Sequence, residues 1–162
     1  MVVTAPPDIV GALLVRLRSF AVEWSALGLD SHAGWKGSGS GLRISGEIGG
    51  GEHGWKMPTR GLIIRRAGGP IVGDDYAMGL YATRIDTVSY GPTGELAGAV
   101  WALLHAILVP KTGEQRYPSF TVAGCRVGNI VPEVGPVSDT ERDTGYRYVF
   151  APYIVQWVEV TP

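Results

Sequence analysis

The stretch from Leu80 to Leu108 constrains the fold more than any other part of this chain. Residues Leu80 to Tyr90 (LYATRIDTVSY) read as a long strand. Gly91 and Pro92 end it, and Thr93 is placed to cap a helix by accepting a hydrogen bond from a first-turn amide. Leu96, Ala97, Val100, Trp101, Leu104, Ile107 and Leu108 then recur at helical spacing, until Pro110 and Gly113 stop the pattern. The back of this helix is unusual. Gly98, Ala99, Ala102, His105 and Ala106 line it without one charged side chain. A helix face in water normally carries charge, and small residues permit close backbone approach. This face is therefore expected to pack on the first helix or on a neighbouring subunit.

The remaining elements follow from the same signals. Residues 1–7 read as a loose arm. Asp8 is a fair N-cap, and Ile9, Val10, Leu13, Leu14, Leu17, Phe20, Ala21, Trp24 and Leu27 form one stripe, so a single helix is expected up to Gly28. Residues 33–57 are a glycine-rich loop insertion with room for a short hairpin around Leu42 to Ile48. Trp35 and Trp55 lie in it, as anchors of a small cluster or as contacts for a partner. Leu62 to Ala67 reads as a strand and Ser119 to Val131 as one or two. Pro132 to Gly145 reads as an acidic turn region. Tyr146 to Val160 is the last strand, with Pro152 marking it as an edge strand or a bulged one. The expectation is one α+β domain over residues 1–162: an antiparallel or mixed β-sheet with two helices packed on one face.

Composition fits a folded class. Of the 162 residues, 45% are hydrophobic and 18% charged, enough for a core and unlike a disordered chain. The net charge of −1 marks neither a nucleic-acid nor an anionic-membrane binder. The N-terminal residues lack a basic segment and a cleavage site, so no signal peptide is expected, and no apolar run reaches the length of a membrane span. The single cysteine, Cys125, excludes an intramolecular disulfide and reads as a buried thiol.

Candidate chemistry is sparse. His32, Glu52, His53 and His105 have no metal-site spacing. The GSGSG run from Gly37 to Gly41 lacks the Lys-Ser/Thr and the helix that a phosphate loop needs. Asp74 and Asp75 lie in a turn and are expected to face water. No catalytic, metal or cofactor site is expected. Charge is instead divided along the chain. Lys36, Arg43, Lys56, Arg60, Arg65 and Arg66 outnumber Glu47 and Glu52, whereas Glu133, Asp139, Glu141 and Asp143 stand against Arg142 alone. Patches of opposite sign suit a head-to-tail contact, which closes into a ring when the rotation is right. The candidate interface is Trp35, Lys36, Arg43, Trp55, Arg65, Arg66, Gly98, Ala102, Glu133, Asp139, Glu141 and Asp143.

These pieces in this order resemble the tail-terminator and tail-completion proteins of long-tailed bacteriophages. The likeness rests on an N-terminal amphipathic helix, a glycine-rich excursion, and the strand ATRIDTVSYGPT running straight into the helix GELAGAVWALLHAIL. It also rests on a final segment, TGYRYVFAPYIVQWVEV. Arg84, Ile85 and Asp86, then Tyr90 and Gly91, and Gly145, Tyr146, Arg147 and Tyr148 carry it. The resemblance implies a non-enzymatic hexameric ring without cofactors, at the top of a virion tail and assembled in the host cytoplasm. Its implied partners are further copies of itself, the tail tube protein and the head–tail connector or stopper. DNA would pass through the lumen without specific binding, and no membrane is involved. A stopper, a tube subunit and a small ligand-binding or enzymatic domain are the alternatives.

Overall fold

The structure, a computed structural model, describes residues 8–26, 42–45, 60–67, 80–109 and 120–160. Its elements run α1 (Ile9–Arg18), α2 (Ala21–Ala26), β1 (Leu42–Ser45), β2 (Arg60–Arg66), β3 (Leu80–Gly91), α3 (Gly94–Leu108), β4 (Phe120–Val122), β5 (Cys125–Pro132), β6 (Val137–Thr140) and β7 (Arg147–Glu159). The fold is α+β, as the sequence patterns require. One mixed sheet has the order β1-β2-β3-β7-β5-β4, and β6 continues the β5 side of β7. The helices pack on one face.

The first helical stripe is broken where a single helix was expected. Asp8 caps α1 by accepting from the Val10 amide at 3.0 Å. At the other end Ser19 Oγ donates to the Arg16 carbonyl at 2.7 Å, and the Phe20 amide closes a tight turn onto the Leu17 carbonyl. The chain then restarts as α2. This bend lets fully buried Trp24 turn its indole N–H onto the same Leu17 carbonyl, at 2.8 Å. Without that acceptor a buried indole would leave its donor unpaired.

α3 forms as the spacing dictates. Thr93 Oγ1 accepts from the Leu96 amide at 3.3 Å, and Ala97, Val100, Leu104 and Leu108 are buried toward β2, β3 and β7. α1 takes a different position. It touches β1 and β2 at one end of the strand order and β4 at the other. Two strands from opposite ends of a sheet reach one helix only if the sheet curls around it. Ile9, Ala12, Leu13 and Leu17 fill the hollow, and the Arg16 guanidinium lies over the rings of Phe20 and Phe120, 4.6 and 5.0 Å from their centroids.

Three strand expectations are sharpened or corrected. Leu42–Ser45 is a strand, and its partner among the described residues is β2 in parallel, with Leu42 opposite Arg60; the rest of the expected hairpin, residues 46–48, lies outside the described residues. The acidic region Pro132 to Gly145 is not all turn, because Val137–Thr140 pairs with β7. β7 is not an edge strand. It pairs with β3 along its length on one side and with β5 and then β6 on the other. Pro152 is tolerated because of where it falls. Its carbonyl accepts from the Glu133 amide at 3.0 Å, so its nitrogen faces the same side, at the gap where β5 gives way to β6. The irregularity expected at Pro152 lies instead in β5, between Val127 and Asn129. Ser119 to Val131 resolves into two strands, β4 and β5. They are joined by Ala123 and Gly124 at φ 48° and 76°, the left-handed pair of a tight hairpin turn.

The helix-covered face carries the odd-numbered residues of β3 and β7. Ile85, Ala151, Tyr153, Val155 and Trp157 join the core, and two buried threonines of this face are hydrogen-bonded while the Ser89 hydroxyl finds no partner among the described residues. Thr87 donates to the Ala151 carbonyl at 2.6 Å, and Trp157 Nε1 donates to Thr83 Oγ1 at 3.0 Å. His105 is not part of a featureless helix back, as its spacing suggested. It leans on the sheet, with Nδ1 3.1 Å from the Tyr153 hydroxyl. Burial pushes the Tyr153 phenol up to about 12 and lowers the His105 pKa, so neutral imidazole facing neutral phenol is the favoured state.

Two predictions follow from this packing. A Cβ on Gly91 would lie 2.7 Å from the Ala97 backbone nitrogen, where nothing soft can yield. Gly91→Ala should therefore cost about 1–3 kcal/mol in urea unfolding. Because the folded-state pKa of His105 lies below its usual 6.5, its contribution is intact above pH 6.5 and is lost as pH falls toward the lowered value. The unfolding midpoint of the wild type should drop from pH 7.5 to 5.5 more than that of His105→Gln. Equal slopes would reject this role.

Candidate functional site

The even-numbered residues of β3 and β7 form a second face that the described helices do not cover. Register aligns them in rows. Ile63, Val88, Phe150 and Val137 cross four strands as an apolar row. Beside it run Tyr90, Tyr148 and Asp139, with the two tyrosine rings tilted at a centroid distance of 5.9 Å. On the other side lie Arg65, Asp86 and Pro152, and then Arg84, Ile154 and Val131. A groove of about 500 Å³ opens over this face. Val88, Tyr90, Tyr148 and Phe150 form its floor, Arg65 stands at one rim, and the segment from Val137 to Arg142 forms the other.

The Arg-x-Asp element of β3 acquires a role here. Strand alternation sends Ile85 into the core and both charged neighbours to the helix-free face. Arg84 Nε lies 3.3 Å from Asp86 Oδ1 and 3.1 Å from Glu133 Oε2. The guanidinium thus ties the crossover after β5 to the middle of the sheet. Because Arg84 and Glu133 are partly exposed, the pair is worth about 0–1 kcal/mol and acts chiefly as a positioning contact.

One residue of the basic run, Arg65, stands across this groove from the acidic segment. The Tyr90 hydroxyl is raised by burial first, then by the negative charge of Glu141 and by Tyr148, while Arg65 acts in the opposite sense. Arg65 and Glu141 therefore both act on one phenol within the same chain. Glu141 is held by Thr144, whose hydroxyl donates to Oε2 at 2.6 Å. Glu133, Asp139 and Asp143 are exposed around it. Arg66 is exposed on the opposite side of β2, and Arg43 sits on β1 opposite Gly61.

On α3, Gly98 is half-buried and Ala102 exposed, and a Cβ on Gly98 would meet no atom within 4 Å among the described residues. Trp35, Lys36 and Trp55 lie outside the described residues, as do residues 1–7, His32, His53, Asp74, Asp75 and the GSGSG run. Among the described residues no three His, Cys, Asp or Glu side chains gather as metal ligands. Cys125 is buried and its thiol is raised, first by that burial. No helix among the described residues is long and apolar enough to cross a membrane.

The floor of the groove was missed by reading motifs. Its signal was present in β7, where Tyr148, Phe150, Ile154 and Val158 alternate with Val149, Ala151, Tyr153, Val155 and Trp157. A strand apolar on both faces has something to bury on both.

No family model matches the sequence. No curated protein matches it either. Among solved structures, a chain of a particle described as the "Virion of native gene transfer agent (GTA) particle" shares the fold. The TM-score is 0.59 at 10% identity, over 93% of this chain and 94% of that chain. At that identity the likeness establishes the architecture: the curled mixed sheet and its helices recur, nearly end to end, in a chain of a virion.

Proposed function

We propose that this chain is a structural subunit of a phage-like virion, acting as a ring that caps the tail tube and joins it to the head-side connector. The observation that carries the reading is the fold shared over almost the whole length of both chains with a component of a virion particle. The sequence resemblance to tail terminators supports the finer placement, including the hexameric ring.

The physical logic is one of unlike faces. A tube of stacked rings grows because each ring offers the next the same surface. A terminator binds the growing end and presents a different surface outward, so growth stops and the head can dock. This chain has two such unlike surfaces. One side of the sheet is closed by helices, with small residues Gly98 and Ala102 on the outside of α3. The other presents an aromatic and aliphatic groove rimmed by Arg65, Asp139, Glu141 and Arg142. Clustered aromatic floors with charged rims are the composition of protein interfaces. Within the ring, the acidic segment Glu133 to Asp143 of one copy meets basic residues of the next. Genome passage favours a lumen that does not hold phosphate, so the cations belong at subunit contacts and not in the bore.

Imaging is the direct test. Electron microscopy of tails carrying a tagged copy should place density at the head-proximal end alone, and label along the tube would reject the terminator reading. Glu141→Lys combined with Asp143→Lys should reduce ring assembly without unfolding the subunit, read by light scattering beside a thermal melt. Unchanged assembly would remove this segment from the interface.

A further inference from the structure

The three outer ends of the sheet are not alike. β1 and β4 both lie against α1, whereas the outer edge of β6 pairs with no strand among the described residues. An open strand edge is a template for another strand, and this one is flanked by exposed apolar side chains: Val134 is 54% and Val137 55% exposed. Such an edge invites uncontrolled pairing with a second copy of the same chain.

The main-chain donors of β6 can be assigned a direction. In an antiparallel ladder the N–H and C=O of one residue point to the same side, and successive residues alternate. The Glu141 amide donates to the Tyr146 carbonyl at 2.8 Å, so Val137, Asp139 and Glu141 turn their main-chain groups toward β7. Ser138 and Thr140 therefore turn theirs outward. The Thr140 amide is already engaged, donating to Asp139 Oδ1 at 2.7 Å. Pro136, directly before the strand, has no N–H at all. Of these residues, Ser138 alone keeps an outward donor with no side chain recorded on it.

We propose that β6 is a guarded edge, in which the Asp139 carboxylate and Pro136 withhold main-chain donors from the corresponding strand of a second copy. This flank of the sheet then meets its neighbours through side chains and refuses strand addition. The segment from Pro132 to Gly145 then makes its contacts through its charged side chains. The inference does not depend on the ring.

Amide exchange followed by NMR on the full chain tests it. In the wild type the Thr140 amide should exchange slowly and the Ser138 amide fast. Asp139→Ala should speed Thr140 exchange roughly five- to tenfold, the loss of one hydrogen bond. Asp139→Asn, which keeps an acceptor oxygen, should leave it slow. The double variant Pro136→Ala/Asp139→Ala should gain concentration-dependent association and extra strand signal in the amide I band. Thr140 exchanging as fast as Ser138 in the wild type would overturn the proposal. So would a double variant that is folded by circular dichroism and keeps the wild-type mass. Ring formation is read on the wild type alone, by electron microscopy, so its failure is distinguished from a failure of the guarded edge.

Discussion

α1 holds the sheet in its curled form, and the rest of the architecture depends on that contact. Its residues Ala12, Leu13 and Leu17 are almost fully buried, and each large aliphatic side chain placed there is worth about 1.5–3 kcal/mol. The helix touches strands from both ends of the strand order. Removing it would both empty the hollow and release β1 and β4. The break at Ser19 and Phe20 belongs to the same device, because it brings Trp24 back under α1 and satisfies the indole on the Leu17 carbonyl.

Curling has a second consequence. A sheet wrapped around one helix and covered by another spends one of its faces on the core. The other face still carries Ile63, Val88, Tyr90, Tyr148 and Phe150, with cations and carboxylates at its margin. Apolar residues on both faces of a central strand are the mark of a sheet buried on both sides, and here the described helices supply only one cover. That imbalance is the physical basis for reading the chain as part of an assembly. The guarded edge at β6 complements it: the face is left available, while the neighbouring backbone is withheld.

Much of the fold was legible in sequence because its signals are local. The caps at Asp8 and Thr93 act over two or three residues, and both form. The strand–helix succession at Gly91 was visible for the same reason. The lost details are long-range. Pro152 suggested an edge because proline removes a donor, yet the nitrogen falls at a gap between two partner strands, which no local pattern encodes. The pairing of Leu42–Ser45 with β2 is parallel, and the glycine-rich stretch between them suggested a local turn and did not encode that partner. His105 looked like part of a helix back until Tyr153, far along the chain, came within hydrogen-bonding distance.

The sequence by itself determined which segments are helices and most of the strands, and it placed opposite charge in two separate runs. The tertiary structure decided which side of β3 and β7 faces the helices, and it set Arg65 across one groove from the acidic segment. The reason is periodicity. A strand repeat of two residues defines two faces but cannot name the inner one when both are apolar. Register and curvature make that choice, and they are fixed by contacts between residues far apart in the chain.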